Sequence, residues 1–307
     1  MEFFFVSSFP NPPVLFNFPP VHPIAFQLGS LPVRWYGVMM ALGFLAGMWT
    51  ATRRARRANL SGDLIADVTL WLMLGGIVGA RFVYVTTYWQ TEFAGQPRSE
   101  IFMVQHGGLV FYGGLIGSSV AGIIYLLWKK LPLWKVADVL APSIALGSVF
   151  GRIGCLLNGC CYGYACELPW AIHFPAGHAT AGAALHPAQL YDALLNLILY
   201  LALAGLFRRA WKTRMEDWGW KIEKGQRAKL PSSILHPPSS FADGQIFALY
   251  LMGYAIFRSI AEHFRGDYPV DHIHGGLTSA QVVSIGIFIA GAVLWTLLAR
   301  RVEAKRG

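Results

Sequence analysis

The chain has 307 residues, 55% of them apolar and only 13% charged, and its mean hydropathy is +0.45. A soluble domain carries about 25% charged residues, so this composition excludes the pair of soluble domains that the length alone would allow. The formal charge of +9 comes with no DNA- or RNA-binding motif, so it reads as topology and affinity for anionic membrane lipids, with no nucleic-acid partner.

Residues 1–30 are Phe-rich and hold prolines at 10, 12, 13, 19, 20 and 23, which forbids a helix. With Glu2 and no basic start they make a poor signal peptide. They are expected to stay as a periplasmic, interfacial segment, with residues 31–307 forming one transmembrane domain. Three apolar runs are free of charge: Trp35–Thr52, Leu109–Trp128 and His272–Ala299. Four more are broken by one or two charges: 64–89 (Asp67, Arg81), 136–157 (Asp138, Arg152), 186–207 (Asp192) and 244–264 (Arg258, Glu262). A bilayer crossing takes about 20 residues, so these runs predict an all-α integral membrane protein with seven transmembrane helices. Residues 208–243 mix charges with Pro, Ser and Gly and predict a cytoplasmic loop with little structure. No internal repeat is evident.

Nineteen of the 25 Lys and Arg follow the first, third, fifth and seventh runs, among them Arg53, Arg54, Lys129, Lys130, Arg208, Arg209, Arg300 and Arg301. The positive-inside rule then puts the N-terminus outside and the C-terminus in the cytoplasm. The other six are all arginines: Arg34, Arg81, Arg98, Arg152, Arg258 and Arg265. Arginine presents a planar fork matched to phosphate oxygens, so a membrane cavity lined by these residues suggests a phospholipid headgroup. The competing reading is a set of structural ion pairs with Asp67, Asp192 and Glu262.

Arg152 stands out because Val139 to Cys166 holds no other Lys, Arg, Asp or Glu. An arginine at the middle of a spanning helix costs about 2.5–3.5 kcal/mol on insertion scales, which calls for an anion to hold or a route to the interface. Arg258, Glu262 and Arg265 fall at i, i+4 and i+7, which places them on one helix face. His186, Gln189 and Tyr191 open the fifth helix, and Arg34 with Tyr36 opens the first. Gly107, Gly108, Gly113 and Gly114 flank Tyr112, where either a ligand or a packed helix can approach closely.

The four cysteines, Cys155, Cys160, Cys161 and Cys166, lie within twelve residues in the pattern C-x4-C-C-x4-C. Structural zinc sites bring ligands in close pairs, so no metal site is expected. Cys155 reads as a buried, inert thiol, and a disulfide involving Cys166 is compatible with an oxidising exterior.

WYG at 35–37, GAR at 79–81, FYGGLIG at 111–117, GRIGCLLNGCCYG at 151–163, HPAQLY at 186–191, FRSIAEHFR at 257–265 and GLTSAQ at 276–281 run in order along the chain. Together they strongly resemble the prolipoprotein diacylglyceryl transferase family; residues 1–30 and 208–243 fall outside the likeness. The resemblance implies a bacterial inner-membrane enzyme that moves the diacylglyceryl group of phosphatidylglycerol onto the lipobox cysteine of a prolipoprotein signal peptide. Glycerol 1-phosphate is the expected product, and no cofactor is implied. By motif position, Arg152 and Arg258 would hold the phosphate, Glu262 would support Arg258, Tyr36 and Asn158 would line the site, and Gly163 would permit close packing. Arg265, His186, Gln189 and Arg81 join them as candidate substrate-binding residues. Many members have Asn at the place of Cys155 and Glu at that of Cys160, although a cysteine-rich signature also occurs. Some have His where this chain has Tyr112, so a histidine base is not available at that position.

The acceptor thiol is only a few per cent ionised at neutral pH, so the site must favour the anion or take its proton. Tyr112, Tyr36 and His106 are the candidates for that task. Two arginines in a low-dielectric cavity stabilise the charge that builds on the departing phosphate. The alternative function is an anion or lipid transporter with an arginine-lined cavity, against which stand the missing repeat and the ordered motifs.

Overall fold

The computed structural model describes residues 23–29, 31–104, 107–175, 177–223, 241–267, 273–274 and 276–303. Among them run seven long α-helices: α1 (Trp35–Arg57), α2 (Gly62–Thr87), α3 (Phe111–Trp128), α4 (Leu133–Asn158), α5 (Ala188–Glu223), α6 (Gln245–His263) and α7 (Ser279–Glu303). Two five-residue helical turns, Trp89–Phe93 and Arg98–Phe102, follow α2. The strands are short and pair as antiparallel hairpins: β1 (Ile24–Leu28) with β2 (Leu31–Arg34), β3 (Ile172–His173) with β4 (Ala184–Leu185), and β5 (Ile273–His274) with β6 (Leu277–Thr278).

Five helices are long and apolar enough to cross a membrane: α2, α3, α4, the Ala188–Trp211 part of α5 and the Ser279–Arg301 part of α7. The helix α1, whose end holds Arg53, Arg54, Arg56 and Arg57, and α6, with Arg258 and Glu262, are of spanning length but less apolar. Large apolar side chains face outward: Val78, Phe82, Ile116, Ile124 and Leu127 are all more than 60% exposed. In water this would be an aggregating surface, whereas against lipid tails it is neutral, so the described helices are consistent with an all-α membrane protein.

The fold departs from the sequence reading at three places. Where a structureless loop is expected from residue 208, α5 continues to Glu223, through a stretch of helix formers that has neither proline nor adjacent glycines; residues 224–240 lie outside the described part. The seventh helix begins at Ser279 rather than at 272, because Gly276 with φ +86° turns the β5–β6 hairpin ahead of it. Of residues 1–30, 1–22 and 30 lie outside the described part, and Ile24–Leu28 form a strand.

The chain forms two compact units, and α1, α4, α5 and α6 contribute to both. One unit comprises residues 48–141 and 207–247. In it α2 and α3 meet through glycines: a Cβ on Gly113 would lie 2.7 Å from the Val83 side chain, and Gly79 faces the backbone of Gly113 and Gly117 as closely. Such small-residue seams let helices approach where no hydrophobic effect drives them together. Asp138 on α4 accepts the N–H groups of Gly244 (2.7 Å) and Phe247 (2.8 Å), capping α6 with a buried carboxylate.

The other unit comprises residues 1–47, 142–206 and 248–307. Here Gly43 meets Phe150 and Gly154 meets Tyr36, joining α1 to α4. Ser143 donates to the carbonyl of Gly47 at 2.6 Å. The segment after α4 is seated by a small core of Leu156, Ile172, Phe174 and Leu185, with Tyr162 packed on it.

Candidate active site

Arg152 lies on α4 about two turns before its end, and its Nε meets the Asp192 carboxylate of α5 at 2.7 Å. Asp192 is buried and is itself held by Asn196, whose Nδ2 donates to Oδ1 at 2.7 Å. With Nε taken, Arg152 keeps its two terminal nitrogens, which have no partner among the described residues, on a side chain that is 20% exposed. Those two NH2 groups are one face of the guanidinium fork and can take two oxygens of a phosphate.

A second arginine is held in the same way. Arg258 on α6 meets Glu262 one turn later at 2.6 Å through Nη1, and the Glu262 side chain is fully buried. The contact is an ion pair by proximity: neither Glu262 oxygen, nor Arg258 Nη1, has a well-aligned hydrogen bond among the described residues. In a low-dielectric setting a buried carboxylate beside a guanidinium fixes its rotamer and leaves its remaining donors for a ligand.

The chain between these helices is tied down by backbone. Gly163 forms a bridge with Arg265, donates its N–H to the carbonyl of His186 (3.1 Å), and sits where a Cβ would be 2.6 Å from three atoms of His186 and Phe264. Tyr164 and Gly266 add two more bonds, to the carbonyls of Phe264 and Tyr162. The glycine is therefore required by the close approach of three strands of backbone. Tyr36, in the first turn of α1, lays its ring over Gly154 and is within electrostatic reach of Arg152.

Several predicted substrate ligands are engaged otherwise. Arg265 presents its fork to Asp267, with Nε and Nη2 both at 3.0 Å from the carboxylate, and reaches Glu262 only at 3.7 Å. Gln189 is buried and donates to the carbonyl of Cys160 at 2.7 Å, leaving its Oε1 without a partner among the described residues. His186 Nδ1 lies 3.3 Å from the Tyr191 hydroxyl, which accepts from Trp170 at 2.8 Å. Asn158 Nδ2 lies 3.7 Å from the Cys160 sulfur.

Arg81 and Tyr112 belong to the other unit. Arg81 is buried and donates to four carbonyls, those of Ile101, Gly107, Gly108 and Glu100, at 2.6–3.2 Å. It thus anchors the loop between α2 and α3. Tyr112 is half exposed at the start of α3, edge-on to Phe111. His106 lies outside the described residues.

Sequence reasoning named Asp192 among possible ion-pair partners of the arginines without assigning it to Arg152, and missed Asn196 behind it and Asp267 as the partner of Arg265. It also missed that the fold brings the thiols of Cys155, Cys160 and Cys161 within 4.8 Å of one another. Asp192 and Asn196 are spaced i, i+4, which was the available signal.

A helical membrane protein with two carboxylate-braced arginines defines a class that handles an anionic, lipid-borne group. The family model for prolipoprotein diacylglyceryl transferase matches residues 23–220 and 231–297, and the chain belongs to that family. Relatives named phosphatidylglycerol–prolipoprotein diacylglyceryl transferase align over most of their length. That of Synechococcus elongatus is 34% identical over 89% of this chain and 85% of its own. Those of Geobacter sulfurreducens and Pasteurella multocida are each 33% identical, over 93% and 95% of this chain and 98% and 97% of theirs.

Gly163→Ala is expected to destabilise the protein by about 1–3 kcal/mol, as overpacking does where the neighbours are backbone. Thermal unfolding in detergent checks this, and an unchanged midpoint would contradict the close approach described.

Proposed function

We propose that this enzyme transfers the diacylglyceryl group of phosphatidylglycerol to the lipobox cysteine thiol of prolipoproteins at the bacterial inner membrane, releasing glycerol 1-phosphate. The observation that carries the reading is Arg152: its Nε is fixed by Asp192 while both terminal nitrogens stay free for an anion. Membership of the transferase family supports the same reaction.

In the reaction the acceptor sulfur attacks the glyceryl carbon that bears the phosphate, an S–C bond forms and the C–O bond breaks. The phosphodiester, singly charged, departs as a phosphate monoester that gains a second negative charge. Arg152 and Arg258 stabilise that gain, and Glu262 and Asp192 hold the two forks so that little reorganisation is needed as it develops. The thiol proton must leave as the bond forms. Tyr36 beside Arg152 is the candidate carrier of that proton. Asn158 and Gly163 shape the turn that follows Arg152. Gln189 and His186 brace the backbone there, and Arg265 acts through the segment it holds, while Arg81 holds the loop between α2 and α3 in its own unit.

The substrate lipid and the exported precursor both require a site reached from outside the cytoplasm. All seven long helices cross the membrane in this reading, with the N-terminus outside, the C-terminus in the cytoplasm and the basic ends of α1, α3, α5 and α7 on the cytoplasmic side.

Arg152→Lys and Arg258→Lys are each expected to lose most transfer, at least about tenfold, with the fold retained, because lysine keeps the charge and lacks the fork. Mixing each purified variant with phosphatidylglycerol and a lipobox peptide and weighing the peptide reads the outcome. Near wild-type transfer by both would refute phosphate recognition by these residues. For topology, a reporter active only outside the cytoplasm is expected to work after Gln96 and to fail after Lys224, and the reverse pattern would move the site to the wrong face.

A further inference from the structure

The geometry points to a site for a soft, thiophilic metal ion, zinc or monovalent copper, made by Cys155, Cys160 and Cys161 at the C-terminal end of α4. Each contributes one sulfur, and the three sulfurs lie within 4.8 Å of one another. Zinc bound to thiolates at about 2.3 Å in a tetrahedron sets sulfurs about 3.8 Å apart, so small side-chain rotations close the array on an ion. Three thiolates are the ligand set that soft metals prefer over the oxygen-binding cations.

The backbone is bent to bring the third sulfur round. Cys160 continues the helix end, its N–H bonded to the carbonyl of Cys155 at 3.0 Å, and Gly159 turns the chain at φ +75°. Cys161 then takes φ +62°, in the left-handed region where a side chain other than Gly, Asn or Asp is uncommon. An inert packed thiol needs no such conformation, whereas a ligand that must face its two partners does.

The surroundings are those of a supported metal site. The carbonyl of Cys160 is held by Gln189 at 2.7 Å and that of Gly159 by His178 at 2.8 Å, while the amide of Asn158 points at the Cys160 sulfur from 3.7 Å. Arg265 and Arg152 lie within electrostatic reach of Cys161. All three cysteines are partly exposed, which gives an ion a way in. Cys166 stands apart, its backbone tied to Ala184. A bound ion fastens the end of α4, and with it the helical turns that carry Arg152, without taking part in group transfer.

The test uses the full chain in detergent, reduced and then freed of reductant under an inert atmosphere. Metal content is read by elemental mass spectrometry after equilibration with zinc, or with monovalent copper, and removal of excess ion. The expected result is about one ion per chain in the wild type and in Cys166→Ser, and less than about a tenth of that in Cys155→Ser, Cys160→Ser and Cys161→Ser. Cobalt added to the metal-free wild type is expected to give a thiolate-to-metal charge-transfer band, absent in the same three variants. Retention of one ion but not the other assigns the metal. Wild-type protein that holds neither ion and shows no cobalt band would overturn the site, as would equal retention by Cys161→Ser. An intact mass two hydrogens light in wild-type protein isolated without reductant, together with no retained ion, would instead make the cluster a disulfide and overturn the site.

Discussion

The site depends on one ion pair, Arg152 to Asp192, which joins α4 to α5 inside an apolar protein. A lone guanidinium or carboxylate in such surroundings is penalised by several kcal/mol, and each charge removes much of the other's penalty. The pairing is single-point, through Nε, and Asn196 fixes the carboxylate from behind. Had the contact been bidentate, the fork would be consumed. As it stands, the pair sets the direction of the guanidinium and leaves its two outer nitrogens open, as the proposed phosphate binding requires.

The contrast among the arginines makes the point. Arg265 spends its fork on Asp267, and Arg81 spends its donors on four carbonyls. Arg152 and Arg258 each give one nitrogen to a buried carboxylate and keep the rest. What separates the anchoring arginines from the two proposed to bind ligand is which nitrogens are occupied. Around the pair, Gly163 and its bonds to His186 and Arg265 hold the turn after α4 against the start of α5 and the end of α6, so the two braced arginines sit on helices tied through one short segment.

Much of this was legible in the sequence because lipid imposes coarse rules. Long apolar runs must be helices, and a charge within one must have a partner, so the seven long helices could be read directly, as could the need of Arg152, Arg258 and Glu262 for partners. The ordered motifs carried the family. What could not be read was pairing across helices. Asp192 is one acidic residue among several candidates until α4 and α5 are packed, and Arg265 looks like a member of the Arg258–Glu262 face until α6 ends at His263 and Asp267 swings in. The cysteines were opaque for a related reason. Their spacing differs from that of paired zinc ligands on turns, and only the left-handed backbone at Cys161 gathers them. The continuation of α5 to Glu223 was hidden by charge, since a solvated helix and a solvated loop share a composition.

The central claim is that Asp192 directs the Arg152 fork at the lipid phosphate, and the affinity of purified protein for phosphatidylglycerol, read by native mass spectrometry, tests it most directly. Asp192→Asn keeps the size of the side chain and removes the charge that fixes the guanidinium. The account predicts that this variant, still folded, holds phosphatidylglycerol at least about tenfold more weakly than the wild type. Equal affinity in the two proteins would contradict it.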